Sequence, residues 1–133
     1  MEHSLVITGF YAGILALLHI ALSFKVIGLR RRLQIGLGDG NNKELQKAIR
    51  VHGNFSEYVP LAMIMFAVLE FNQGSLMLLH VLGGALVTCR FLHAIGVGKT
   101  AGISWQRFTG VLGTFLVILA LAVMNIANIL LAA

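Results

Sequence analysis

The stretch RVHGNFSEYVP, residues 50 to 60, places Arg50, Asn54 and Glu57 at i, i+4 and i+7. On a helix that spacing stacks the three side chains on one stripe. Further along, Arg90 and His93 stand at i, i+3, and Arg107 precedes a long apolar run. An arginine fork is shaped to hold a carboxylate through paired hydrogen bonds. Arg30, Arg31, Arg50, Arg90 and Arg107 together therefore suit a small ligand with more than one carboxylate. Asn54 and Glu57 would take its amide and amine groups. The plainer reading is that Arg50 and Glu57 satisfy each other inside a bundle. It is the better reading for Lys25, Lys43, Lys47 and Lys99 that they reach toward lipid headgroups. What favours a ligand is the number of arginines expected at one depth.

Those residues need a scaffold, and composition names it. Of 133 residues 58% are hydrophobic and 11% charged, against about 25% charged in soluble domains. The sequence predicts an all-α integral membrane protein, a four-transmembrane-helix bundle forming one domain over residues 1–133. A span needs roughly 20 apolar residues. Leu5 to Phe24 is the first. Val59 to Leu69 is too short alone, so the second helix is predicted to start near Lys43 and to carry the polar stripe. Leu76 to Gly96 is the third, interrupted late by Arg90 and His93, and Phe108 to Ala133 is the fourth. Ionisable groups at such depth face a bundle interior or a wet cavity.

Lys25, Arg30, Arg31, Arg32, Lys43, Lys47 and Arg50 lie between the first two apolar runs, whereas FNQGS between the next two has no Lys or Arg. The excess of basic residues marks cytoplasmic loops. Both termini are thus expected outside, with the first and third loops cytoplasmic. MEHSL lacks the basic start of a cleavable signal, so the first segment is expected to be retained.

Other features read as structural. The net charge of +5 accompanies no aromatic stacking surface, which argues against nucleic acid. The single cysteine, Cys89, excludes an internal disulfide and reads as packing, and no structural metal set surrounds it. GLGDGNN follows no strand and reads as a flexible turn rather than a dinucleotide loop. NFS at 54–56 fits a glycosylation acceptor but falls inside the second helix. Pro60 is expected to bend that helix. His19 and His80 read as hydrogen-bonded interior residues and Asn125 and Asn128 as helix-to-helix contacts. Gly9 with Gly13, and Gly110 with Gly113, offer faces for close approach.

At these residues the chain resembles the membrane-associated proteins in eicosanoid and glutathione metabolism, the MAPEG family. RVHGNFSEYVPL is similar to the second-helix signature, with matches at Arg50, Asn54, Glu57, Tyr58 and Pro60. LSFKVIGLRRR resembles the end of the first helix in the leukotriene synthase branch, whose adjacent arginines correspond to Arg30 and Arg31. RFLHAIG resembles the third-helix Arg-x-x-His of the prostaglandin E synthase branch, and the likeness covers nearly the whole chain. It implies a homotrimer in a bacterial inner membrane, with glutathione as cosubstrate bound between subunits at the cytoplasmic end. The implied binding residues are Arg30, Arg31, Arg50, Asn54, Glu57, Tyr58, Arg90 and His93.

Arg107 matches the catalytic arginine that stabilises the glutathione thiolate. A free thiol has a pKa of about 8.5 and gains reactivity as the anion. Two positions depart from the active pattern: Val97 and His93 stand where active members carry tyrosines. The implied activity is that of a glutathione-dependent transferase or peroxidase acting on a lipophilic electrophile from the bilayer. The alternative is a non-catalytic member that binds lipid or a partner protein. A small transporter would need an embedded carboxylate that the first segment lacks. A b-type cytochrome would have to use His80 and His93.

Overall fold

The computed structural model describes residues 4–72, 74–99 and 104–132. It contains four helices, α1 (Val6–Leu33), α2 (Lys43–Phe71), α3 (Leu76–Lys99) and α4 (Trp105–Ala132). All four are long and apolar enough to cross a membrane. In hydrocarbon a backbone must satisfy its own polar groups, which a helix does. The readings made on residues 1–3, Gln73, the third connection at 100–103, Ala133 and the Lys99 side chain lie outside the described residues.

α1 does not end with its apolar run at Phe24. It continues to Leu33 with Arg30, Arg31 and Arg32 in its last turn, about 13 Å further at 1.5 Å per residue. Charge marks where a helix leaves hydrocarbon, and cations suit a helix C-terminus. The following turn is hydrogen-bonded to the end of α1. Gly38 and Gly40 take positive φ values of 70° and 56°, which glycine adopts without steric cost. Arg30 Nη1 donates to the carbonyls of Ile35, Gly36 and Gly38 at 3.3, 3.3 and 2.9 Å.

α2 begins at Lys43, as the membrane-length argument requires. The Asn42 side chain caps it by accepting from the Glu44 and Leu45 amides, both at 3.0 Å. A 2.6 Å ion pair from Arg32 to Glu44 joins the end of α1 to the start of α2.

α1 packs on α2 and α3, and α4 packs on α3 and α2. Among the described residues α1 and α4 do not meet. The core runs along the four-helix axis through Leu15, Phe55, Ala62, Phe66, Leu86 and Leu121, and Leu29, Leu45 and Ala48 form a smaller cluster toward the α1–α2 turn. At the far end the Glu70 carboxylate accepts from the Ile7 amide (2.9 Å), the Thr8 amide (2.7 Å) and the Thr8 hydroxyl (2.6 Å). One acidic side chain of α2 thereby supplies acceptors for the orphan donors at the start of α1. Asn125 Nδ2 donates to the Met65 carbonyl at 2.9 Å, a contact between α4 and α2.

The two glycine pairs behave differently. Gly110 and Gly113 bring α4 against α3, where a Cβ on Gly110 would lie 2.6 Å from the Cys89 carbonyl and one on Gly113 would strike the Cys89 sulfur. Gly9 and Gly13 have nothing within 4 Å, because they point out of the bundle. The close approach of α1 to α3 uses Gly83 instead, which leaves room for the Tyr11 ring.

Candidate functional site

Arg90 is the centre of the polar constellation. It is 2% exposed, with Nη1 donating to Asn54 Oδ1 at 2.9 Å and Nη2 to the Gly110 carbonyl at 3.3 Å. The same carbonyl accepts the Thr114 hydroxyl at 2.7 Å. One guanidinium on α3 is thus held by α2 and α4 together, and its Nε is buried without a partner among the described residues. Both acceptors are neutral. The ion pairs among the described residues are Arg32–Glu44 and Arg50–Glu57, so Arg90 has no carboxylate of its own.

Asn54, Arg50 and Glu57 share a helix flank but separate in depth within the bundle. Asn54 is buried at 6% exposure and is committed to Arg90. Arg50 and Glu57 sit on the outward edge and pair at 3.2 Å, with side chains 58% and 46% exposed. Tyr58, one position further round, packs edge-on against Phe115 of α4 with ring centroids 5.0 Å apart. His93, 4% exposed, lies within electrostatic reach of Arg90, Arg107 and Arg50. Val97 is buried as well and packs as core where a tyrosine was the alternative.

Arg107 occupies the first turn of α4, and its amide donates to Ser104 Oγ at 3.2 Å. Gly96 on α3 permits this approach: a Cβ there would stand 2.5 Å from the Arg107 nitrogen and 2.9 Å from Ser104 Oγ. Gly96, Ser104, Thr114 and the Gly110 carbonyl are parts of the site that sequence reasoning did not find. A serine three residues before Arg107 is a legible cap. A backbone carbonyl leaves no mark in a sequence.

Arg30 and Arg31 are not brought to this cluster within the chain. Arg30 is engaged with the α1–α2 turn and Arg31 is exposed, while α1 does not touch α4. His52 also lies apart, turned toward α1. It stacks on His19 at 4.8 Å and 28°, and its Nε2 is 3.0 Å from Ser23 Oγ. The Ser23 hydroxyl already donates to the His19 carbonyl, so His52 is the donor. His19 Nδ1 is buried without a partner among the described residues, unlike the hydrogen-bonded residue expected. His80 is exposed rather than interior, and its Nδ1 meets the Tyr11 hydroxyl at 3.0 Å. His80 and His93 are about 20 Å apart along one helix and cannot share an iron.

The model of the MAPEG family matches residues 8–127 of this chain. The chain belongs to the MAPEG family. It is also similar to the inner membrane protein YecN of Escherichia coli K12, with 33% identity over 120 residues covering 90% of each chain. The YecN of Escherichia coli O6:H1 gives the same identity and coverage. The matched region takes in the polar parts of all four MAPEG helices in this chain, including the Arg90–Asn54 contact and Arg107.

Proposed function

We propose that this MAPEG protein binds glutathione and uses it as a transferase or peroxidase on lipophilic electrophiles. The observation that carries the reading is the charge excess. Arg50, Arg90 and Arg107 all lie within electrostatic reach of His93, and the one carboxylate of the group, Glu57, is already paired with Arg50. Cations at membrane depth require counter-charge. Glutathione supplies two carboxylates and, when ionised, a thiolate, with one ammonium for Glu57.

Arg107 is the residue assigned to the sulfur, because it is half-buried at the start of α4 and has no ion pair among the described residues. A guanidinium beside the thiol favours the anion. In the transfer reaction the thiolate forms a carbon–sulfur bond as the leaving group departs with its electron pair. In the peroxidase reaction the thiolate attacks the hydroperoxide oxygen, the O–O bond breaks and the protonated alcohol leaves, giving a sulfenic acid whose oxygen departs as water when the thiol of a second glutathione forms the disulfide.

The site is completed by a neighbouring subunit in a homotrimer. Two facts support this. Arg50 and Glu57 are exposed on the flank of a spanning helix, where lipid is a costly neighbour for charge, and Arg31 does not reach the cluster of its own protomer. The placement is an inner membrane with both termini outside and the site at the cytoplasmic end.

Calorimetric titration of glutathione into detergent-solubilised protein tests the reading, with saturable binding in the millimolar range or tighter expected. An absence of heat at millimolar glutathione would leave the non-catalytic, lipid- or partner-binding alternative.

A further inference from the structure

A cavity of about 220 Å³ opens where α1, α2 and α3 meet beside the α1–α2 turn, lined by Leu22, Lys25, Glu44, Lys47, Ala48, Val51 and Ala94. Ala48 and Val51 are buried, at 5% and 4% exposure, and form an apolar floor. Two ammonium groups stand at its mouth, and neither Lys25 nor half-buried Lys47 has a hydrogen-bond or ion-pair partner among the described residues. The carboxylate present, Glu44, is taken by Arg32 at 2.6 Å. The mouth therefore carries net positive charge with nothing to meet it. Neither Arg90, Asn54 nor Arg107 lines it, and Lys47 stands seven residues before Asn54 on α2, about 10 Å along the helix.

We propose that this cavity binds the phosphate of an anionic phospholipid. The shared chemistry is a phosphate anion held by two lysines, and its depth selects the lipid as the source. Lys25 is the first charged residue after the uncharged run from Leu5, which places its ammonium at the boundary between hydrocarbon and headgroups. Phe24 beside it, and Phe91 and Ile95 flanking Ala94, are exposed at 68%, 43% and 47% and offer surface to acyl chains. Basic pockets between spanning helices at the headgroup level recognise anionic lipids in this manner. Zwitterionic lipids bring an ammonium of their own, which the two lysines repel.

The inference is independent of glutathione and is tested without it. Thermal unfolding of the purified full chain in neutral detergent is followed with added phosphatidylglycerol, with phosphatidylcholine of the same acyl chains, or with inorganic phosphate. Phosphatidylglycerol is expected to raise the midpoint by several degrees, because a ligand of the folded state stabilises it. The other additions should leave it within a degree. In Lys25→Gln/Lys47→Gln the shift disappears, whereas Lys43→Gln, an exposed lysine outside the cavity, retains it. Equal shifts with both lipids, or a full shift in the double variant, would overturn the proposal. A shift with phosphate alone equal to that with phosphatidylglycerol would overturn the lipid as the source. Should the double variant fail to fold, the two-lipid comparison on the unaltered chain and the single Lys47→Gln variant still decide.

Discussion

Arg90 donates to Asn54 across 2.9 Å while both residues are buried, whereas Arg50 and Glu57, four residues before and three after Asn54, pair in the open. Equivalent-looking members of one sequence motif therefore do different work. A buried guanidinium that loses an acceptor retains its desolvation cost. An exposed ion pair is worth only about 0–1 kcal/mol.

The first expected outcome follows from that difference. Asn54→Ala should lower stability by roughly 1.5–3 kcal/mol, the value of a hydrogen bond to a charged group, and weaken glutathione as well. Arg50→Ala and Glu57→Ala should melt near wild type yet bind glutathione about tenfold to a hundredfold more weakly. Paired melting and calorimetry check it. Normal glutathione affinity in all three variants would make the motif purely structural.

Arg107 should separate rate from binding. Arg107→Ala is expected to keep most of the glutathione affinity and lose most of the conjugation of a lipophilic electrophile. Arg107→Lys, with charge but no planar fork, should recover part of the rate. The thiolate absorbance of bound glutathione, titrated with pH, reads the cause. In wild type the thiol should ionise below its free value of about 8.5 and in Arg107→Ala return toward it, so activity falls off at lower pH in wild type than in the variant. Identical titration curves and unchanged turnover would exclude Arg107 as the activating group.

Gly96 sets where Arg107 stands through the close approach of α4 to α3. Gly96→Ala puts a methyl 2.5 Å from the Arg107 nitrogen, so the start of α4 must shift. Turnover should drop by about tenfold or more, since small misplacements at a reacting centre are costly, with a smaller change in KM. Gly28→Ala, which meets nothing within 4 Å, is the control. Wild-type kinetics in Gly96→Ala would show that the approach of α4 to α3 is not needed.

Glu70 should matter for stability alone. It caps the first turn of α1 through three hydrogen bonds, and helix caps contribute about 0.5–2 kcal/mol. Glu70→Ala is expected to lower the melting point and to speed amide exchange at Ile7 and Thr8, with glutathione binding intact. Glu70→Gln, which keeps one acceptor, should fall between the two. Unaltered exchange at those amides would remove the capping role.

The sequence by itself determined the four-helix plan. Hydrocarbon admits no unsatisfied backbone, so apolar length alone dictates spans, and the shortfall of Val59 to Leu69 forced α2 to begin near Lys43, where the structure starts it. It also determined which residue types gather at one depth, because helical periodicity fixes Arg50, Asn54 and Glu57 on one flank and Arg90 with His93 on another. Tertiary structure decided what each of them faces. A helical wheel cannot state how far a flank is rotated into the bundle, and that rotation buries Asn54 while leaving Arg50 and Glu57 outside. The direction of His52 toward His19, the diversion of Arg30 to the α1–α2 turn and the failure of Gly9 and Gly13 to meet a neighbour follow from the same cause. Most of all, the Gly110 carbonyl that holds Arg90 belongs to the backbone, so its part in the site depends on where α4 crosses α3, a position that packing sets and no side-chain pattern encodes.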